Sequence, residues 1–259
     1  MTDFLDKLIA DAEQRIMHGY YNVEFRLDHE HVSLSRAVKN TNHNAIIAEI
    51  KLRSPARGTL RAELDPKDLA IQLARGGATG LSVLTEPDNF GGTLESLVQI
   101  RPYVNIPLLM KDIVFDQKQI VAAKESGADC ILLMLSALSR KGIQPTDLIR
   151  EAHSSRLEVL LEVHDTAELE RASETDADII GINNRNLTNL EIDLNTTTRL
   201  LGSATAKQLR GKTVISESGF ETVEDVRRLK QSQIDGFLIG SSIMLAADPE
   251  TKVQEFVHA

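Results

Sequence analysis

The chain of 259 residues predicts an α/β fold: eight parallel strands, each followed by a helix, closed into a (β/α)8 barrel with a helical extension ahead of it. Three observations carry this prediction. Apolar runs of four to six residues alternate with longer segments of helical period, and strands buried on both faces read as such unbroken runs. A weak internal echo recurs at every second strand: Gly77-Ala-Thr-Gly-Leu-Ser-Val-Leu84, Gly127-Ala-Asp-Cys-Ile-Leu-Leu-Met134, Asp176-Ala-Asp-Ile-Ile-Gly-Ile182 and, more loosely, Ile234-Asp-Gly-Phe-Leu-Ile239. The length also suits a single barrel, which needs about 250 residues. A doubly wound open sheet is the alternative, but it usually carries a glycine-rich fingerprint after its first strand, and this chain has none.

In chain order, residues 1–44 form the extension. Asp3–Met17 has helical period with Phe4, Leu5, Leu8, Ile9 and Ala12 on one side, and Ser33–Lys39 reads as a second short helix. Both are expected to pack on the barrel, so residues 1–259 are read as one barrel domain that includes this extension. Strands are predicted at Ala45–Ile50, Leu81–Thr85, Pro107–Lys111, Cys130–Leu135, Glu158–Val163, Ile179–Asn183, Thr213–Glu217 and Gly236–Ile239. The helices between them fall at Pro66–Arg75, Thr93–Arg101, Asp116–Ser126, Pro145–His153, Ala167–Glu174, Leu194–Leu201 and Thr222–Gln231. Several open on a start signal: Asp65-Pro66, Asp116, Thr166 with Glu168 following, and Glu221-Thr222 ahead of Glu224-Asp225.

Composition excludes several function classes. A net charge of −9 argues against a general nucleic-acid or anionic-membrane binder, so any anion site must be built locally. The longest apolar run, Cys130–Leu135, is too short to span a bilayer, and Asp3, Asp6 and Asp11 are unlike a basic secretion signal. The single cysteine rules out an internal disulfide framework, and Cys130, inside an apolar strand, reads as a small core residue. These features predict a cytoplasmic protein. The His29-Glu30-His31 trio has no matching ligand cluster, so a solvated loop is expected there, with no metal and no cofactor. A monomer is compatible with the sequence, which does not set an oligomeric state.

Barrel enzymes place their chemistry at the C-terminal ends of strands. There the first strand offers Glu49 and Lys51, the third Lys111-Asp112 and the fifth Glu162 and His164. The sixth offers Asn183-Asn184-Arg185, the seventh Glu217-Ser218-Gly219 and the eighth Gly240-Ser241-Ser242; only Thr85-Glu86 and Leu135-Ser136 end mildly. Residues i and i+2 of a strand share a face, so Glu49 is expected to pair with Lys51. Charges buried there are costly unless paired or used. Lys51 and Lys111 should converge over the mouth with Glu49 and Glu162, which allows opposed acid and base roles, Schiff-base chemistry or a carboxylate clamp. His164 is assigned to the loop that begins the next helix. Ser218-Gly219 and Gly240-Ser241 present backbone N–H groups where barrels often bind phosphate, with Ser241–Ala247 as the accompanying short helix.

These residues resemble the indole-3-glycerol-phosphate synthase family. The likeness rests on Ala48-Glu-Ile-Lys-Leu-Arg-Ser-Pro55, Ser82-Val-Leu-Thr-Glu86 with Phe90-Gly-Gly92, and Leu109-Met-Lys-Asp112. It continues through Leu161-Glu-Val-His-Asp165, Gly181-Ile-Asn-Asn-Arg-Asn-Leu187 with Asp193-Leu-Asn-Thr-Thr197, and Ser216-Glu-Ser-Gly219. It spans the barrel in order and is loose over residues 1–44. Two departures stand out. Ala56-Arg57 follow Ser54-Pro55 where the family usually continues with Ser, and Met110 and Ile113 flank Lys111-Asp112 where it usually has Arg and Phe.

The resemblance implies a phosphorylated small-molecule substrate, 1-(2-carboxyphenylamino)-1-deoxyribulose 5-phosphate, and ring closure with loss of carbon dioxide and water. It implies Lys111 as general acid and Lys51 on the substrate carboxylate and in dehydration. Glu162 is the candidate base with Glu49 competing, Asn183 orients hydroxyls and Arg185 supports the pocket. Ser54, Ser218, Gly219, Gly240 and Ser241 fall on the phosphate side with Glu217 nearby. A Schiff-base aldolase, a non-catalytic phosphosugar-binding barrel and a related isomerase are the alternatives. The isomerase would be expected to use a strand-end cysteine, whereas Cys130 begins its strand.

Overall fold

Every predicted strand forms, and the eight close on themselves. The computed structural model describes residues 3–61, 65–203, 209, 211–232 and 234–259. The barrel strands are β1 (Ala45–Ile50), β4 (Gly80–Leu84), β5 (Leu108–Lys111), β6 (Cys130–Met134), β7 (Glu158–Val163), β8 (Ile179–Asn183), β9 (Thr213–Glu217) and β10 (Gly236–Ile239). They are all parallel, and β1 closes the barrel between β4 and β10. Every residue of β1, β4, β6, β7, β8, β9 and β10 is buried, as expected for strands covered on both faces. Two strands outside the predicted set, β2 (Arg53–Ser54) and β3 (Gly58–Thr59), form a small antiparallel hairpin above β1.

The helices are α1 (Phe4–Met17), α2 (Leu34–Asn40), α3 (Pro66–Arg75), α4 (Pro87–Phe90), α5 (Leu94–Ile100), α6 (Gln117–Glu125) and α7 (Leu135–Lys141). They continue with α8 (Pro145–Ser154), α9 (Thr166–Ser173), α10 (Asn195–Leu201), α11 (Val223–Lys230), α12 (Ser241–Leu245) and α13 (Pro249–Val257). The expected start signals act: Asp65, Asp116 and Thr222 each accept backbone N–H groups of the first turn. For α9 the cap is Asp165 rather than Thr166, which sits inside the helix, because the Asp165 carboxylate takes the Glu168 N–H. Helices α4, α7 and α13 were not predicted; α4 is a single turn, and α7 follows β6 without a polar break.

The internal echo has a mechanical cause at the floor of the barrel. In three copies an aspartate just ahead of a strand accepts a backbone N–H near the start of the preceding strand. Asp129 takes Leu108 at 2.9 Å, Asp178 takes Val159 at 2.8 Å and Asp235 takes Val214 at 2.7 Å. Each also donates its own N–H to that neighbour's carbonyl, at 2.8, 3.1 and 2.7 Å. In the first copy Thr79 makes only the main-chain half, donating to Ile46. These two-point contacts help fix strand register.

The extension is bound at both ends of the barrel. The strap before α2 is not a solvated loop, because Asp129 gathers it: His29 Nε2 lies 3.1 Å from the Asp129 carboxylate, His31 Nε2 3.2 Å from its carbonyl, and Val32 N–H donates at 2.9 Å. Arg101 completes the set at 2.7 Å. At the other end α1 buries Leu5, Leu8, Ile9 and Ala12 together with Arg15. Arg15 donates to Glu86 at 2.8 Å and Asp88 at 2.6 Å, and lies 3.5 Å from Asp112. The expectation that Thr85-Glu86 ends its strand mildly is therefore corrected. Glu86 is fully buried and also caps α4, because the extension brings it a guanidinium.

Candidate active site

The C-terminal strand ends surround a cavity of roughly 1070 Å³, its open side included. Glu49, Lys51, Ser54, Lys111, Glu162, Asn183, Arg185, Glu217, Ser218, Gly219, Gly240 and Ser241 all line it. Two groups of charges stand at its base. At the β1 end, Lys51 Nζ donates to Glu49 Oε1 at 2.5 Å. Across the barrel, Lys111 from β5 is shared by two buried carboxylates, Glu162 Oε2 of β7 and Glu217 Oε2 of β9, each at 3.3 Å.

That shared lysine separates the two carboxylates chemically. Burial opposes the Lys111 ammonium, but Glu217, Glu162 and Glu49 outweigh it and keep Lys111 firmly protonated. Burial likewise opposes ionisation of Glu162, yet Lys111 and His164 overcome it and hold the carboxyl at about 2. For Glu217, burial dominates, and the negative charge of Glu162 adds to it against Lys111, so its carboxyl is pushed up to about 7. The cavity thus holds a firm cation, a firm anion and a carboxyl that titrates near neutrality, a division suited to proton transfer.

Absent side chains make room for these charges. A Cβ on Gly181 would stand 2.0 Å from Glu217 Oε1, and one on Gly240 would stand 2.5 Å from Glu49 Oε1 and 3.0 Å from Lys51 Nζ. The loop after β9 adopts two consecutive left-handed conformations, Ser218 at φ +70° and Gly219 at φ +94°. Serine is strained there. Asn184 holds it in place: its amide donates to Ser216 Oγ at 3.0 Å and to the carbonyls of Glu217 and Ser218 at 3.0 and 3.1 Å. Opposite, α12 begins at Ser241, directly after Gly240, slightly shorter than the predicted Ser241–Ala247. Its first N–H groups have no partners within the helix.

Asn183 accepts the Arg185 N–H at 2.9 Å, and the half-buried Arg185 guanidinium donates to the Leu190 carbonyl at 3.1 Å. Ser54 is buried in the β2–β3 hairpin, whose Arg57 pairs with Glu221 across the opening. Sequence reasoning missed Phe4 and Leu8 of α1, which form part of the cavity wall. Their helical spacing was visible, but not the strand ends they cover. His164 lies in the expected loop, yet its ring turns back so that Nε2 comes within 3.3 Å of Glu162 Oε1. Among the described residues, one acidic cluster, Asp11, Glu86 and Asp88, has metal-ligand spacing. Arg15 and Lys7 already pair with these carboxylates.

Fold and cavity together define a (β/α)8-barrel enzyme whose opposed ammonium and carboxylate groups suit acid–base chemistry. One solved structure of the same shape is the thiamine phosphate pyrophosphorylase from Pyrococcus furiosus, with a TM-score of 0.61, 16% identity, and 86% of this chain and 96% of that chain covered. At that identity the likeness extends to the fold alone. The sequence model of the indole-3-glycerol phosphate synthase family matches residues 5–256, most of the extension included. Proteins named indole-3-glycerol phosphate synthase are 38% identical in Polaromonas naphthalenivorans (strain CJ2), over 98% of both chains, and 41% identical in Koribacter versatilis (strain Ellin345), over 82% of this chain and 80% of that one. The chain belongs to the indole-3-glycerol phosphate synthase family, carboxy-lyases of tryptophan biosynthesis that act on a phosphorylated small molecule.

Proposed function

We propose that this cavity converts 1-(2-carboxyphenylamino)-1-deoxyribulose 5-phosphate into indole-3-glycerol phosphate, carbon dioxide and water, with Lys111 as the general acid. The observation that carries the assignment is the one ammonium, Lys111, shared by the buried carboxylates of Glu162 and Glu217. As the ring carbon bearing the carboxylate attacks the ketone, Lys111 protonates the ketone oxygen. The bond to the carboxylate then breaks, and its electron pair restores the aromatic ring. The hydroxyl leaves as water with a proton from Lys51, while a carboxylate base removes the proton that completes the pyrrole ring.

Glu162, held ionised, is the better standing base, and Glu49 is tied to Lys51 until a substrate carboxylate takes its place. Glu217, titrating near neutrality, sits where it can pass a proton to or from Lys111. Asn183 orients substrate hydroxyls and Arg185 supports the pocket wall. Ser54, Ser218, Gly219, Gly240 and Ser241 form the phosphate side, since glycine lets a phosphate approach the backbone N–H groups closely. We further assign the enzyme to the cytoplasm, and treat residues 1–259 as one functional barrel whose extension walls the site.

Schiff-base chemistry fits less well, because a nucleophilic lysine must be neutral and Lys111 is held protonated by two carboxylates. The test is incubation with the anthranilate-ribulose phosphate. Indole fluorescence should appear, and borohydride should trap no protein adduct. A covalent adduct, or binding with no indole, overturns the assignment.

A further inference from the structure

One partly buried histidine at the mouth has no role in this chemistry as assigned so far. The His164 imidazole stands between two carboxylates: Nε2 lies 3.3 Å from Glu162 Oε1, and Nδ1 lies 3.2 Å from Glu168 Oε2. Glu168 is fixed in turn. Its Oε2 accepts the His164 backbone N–H at 2.8 Å, and its own N–H donates to Asp165 at 2.8 Å in the first turn of α9. Glu162 is thus approached from both sides, with Lys111 on Oε2 and His164 on Oε1.

We propose that His164, clamped by Glu168, is a positioning residue for the reaction: it fixes the Glu162 carboxylate from behind, on the oxygen that Lys111 does not use. This rests on the assignment of Glu162 above. When Lys111 passes its proton to the substrate oxygen, Glu162 loses the cation in front of it. Without a second cation, a buried carboxylate left beside Glu217 would draw a proton and cease to act as a base. His164 supplies that cation. With Glu168 Oε2 within hydrogen-bond reach of Nδ1 and Glu162 Oε1 at ion-pair distance from Nε2, the form these two carboxylates favour is the imidazolium, protonated on both nitrogens. Burial works against the imidazolium, but Glu162 and Glu168 outweigh it and raise its pKa to about 10.

Other charged groups around the ring do not replace these partners. Asp165 caps α9, and Arg140 of α7 is engaged by Asp3 and Asp6. Arg185, from the loop after β8, is tied to the Leu190 carbonyl. Glu191, Asp193 and Arg199 line the far side of the outer cleft that His164 borders, and Arg199 pairs with Asp193. Lys111 and Glu217 lie beyond Glu162.

The experiment compares wild type, His164→Gln, Glu168→Gln and Glu162→Gln of the full chain by pH profiles of kcat and KM, with ¹⁵N NMR of imidazole-labelled, substrate-free protein. His164→Gln should move the acidic limb of kcat upward by about one pH unit, a roughly tenfold loss on that limb, with KM little changed. Glu168→Gln, which keeps an acceptor for the His164 N–H, should move it the same way by less. The His164 signal, identified by its loss in His164→Gln, should report two protonated nitrogens at about pH 8. A His164→Gln profile that superimposes on wild type, or a neutral ring in the wild-type spectrum, overturns the proposal; the spectrum decides even if His164→Gln fails to fold. Near-normal turnover in Glu162→Gln would instead sink the assignment of Glu162. An inactive Glu162→Gln beside an unshifted His164→Gln removes only the role of His164.

Discussion

The two ends of this barrel bury carboxylates in opposite ways. At the floor, Asp129 is surrounded by donors: Arg101, His29 and the backbone N–H groups of Val32 and Leu108. At the mouth, Glu162 Oε1 and both oxygens of Glu217 have no hydrogen-bond partner, although cations stand at 3.3 Å. Burial is alike, since Asp129 is 0% exposed and Glu162 and Glu217 are each 1% exposed. What differs is satisfaction. A fully satisfied buried carboxylate fixes structure, whereas one with spare acceptors keeps capacity for a substrate or a moving proton.

The contrast breaks most sharply at Lys111. Lys111→Ala should lower kcat by roughly 10²–10⁴-fold with substrate binding largely retained, measured by indole fluorescence and a binding titration. If turnover persists near the wild-type level, the acid is another residue. The largest stability effect is expected at Arg15. Arg15→Ala strands the buried Glu86 and Asp112 without their cation and should cost roughly 3–5 kcal/mol in denaturant unfolding. The floor offers the converse: Asp178→Ala removes the acceptor for the Val159 N–H and should cost roughly 1–3 kcal/mol with kcat unchanged. A fall in kcat there would erase the division between the two ends.

A subtler separation comes from pH. The folded-state pKa of Glu217, about 7, lies above its ordinary 4.5, so the folded protein binds this proton more tightly than the unfolded chain. Its stabilising contribution is full below about 4.5 and lost as pH rises through about 7. Glu162 has the opposite sign: held at about 2, it stabilises above its ordinary value and the contribution fades as pH falls towards 2. Glu217→Gln should therefore flatten the fall in unfolding free energy between about pH 5 and 8. An unchanged slope would show that Glu217 does not titrate in that window. Gly181→Ala should cost roughly 1–3 kcal/mol, no more than Asp178→Ala, because the added methyl collides with the Glu217 carboxylate. Its pH profile should shift as well, and a silent variant would mean that Glu217 has room to move.

Much of this was legible in the sequence because burial on both faces leaves an unbroken apolar run, which marks each strand and so each strand end. The twelve residues picked out at those ends do meet around one cavity. What escaped depends on contacts distant in sequence or on local turns. Arg15 and Glu86 are 71 residues apart, and neither position alone signals the other. His164 does lie in the loop after β7, as its position beyond Glu162 indicates, but the turn that brings its ring back to Glu162 is a backbone choice that alternation along a strand does not encode. The echo was visible as a pattern. Its reason, an aspartate bonded to the neighbouring strand, appears only when strands sit side by side.

The reach of α1 has a consequence for the order in which the molecule completes itself. Arg15 precedes the carboxylates it pairs with, Glu86, Asp88 and Asp112, by 71 residues or more, so its ion pairs form only after those later segments have been made. α1 is thus made well before the residues that anchor it. Its docking brings Phe4 and Leu8 to the cavity wall, so the pocket is complete only where α1 is seated on the barrel.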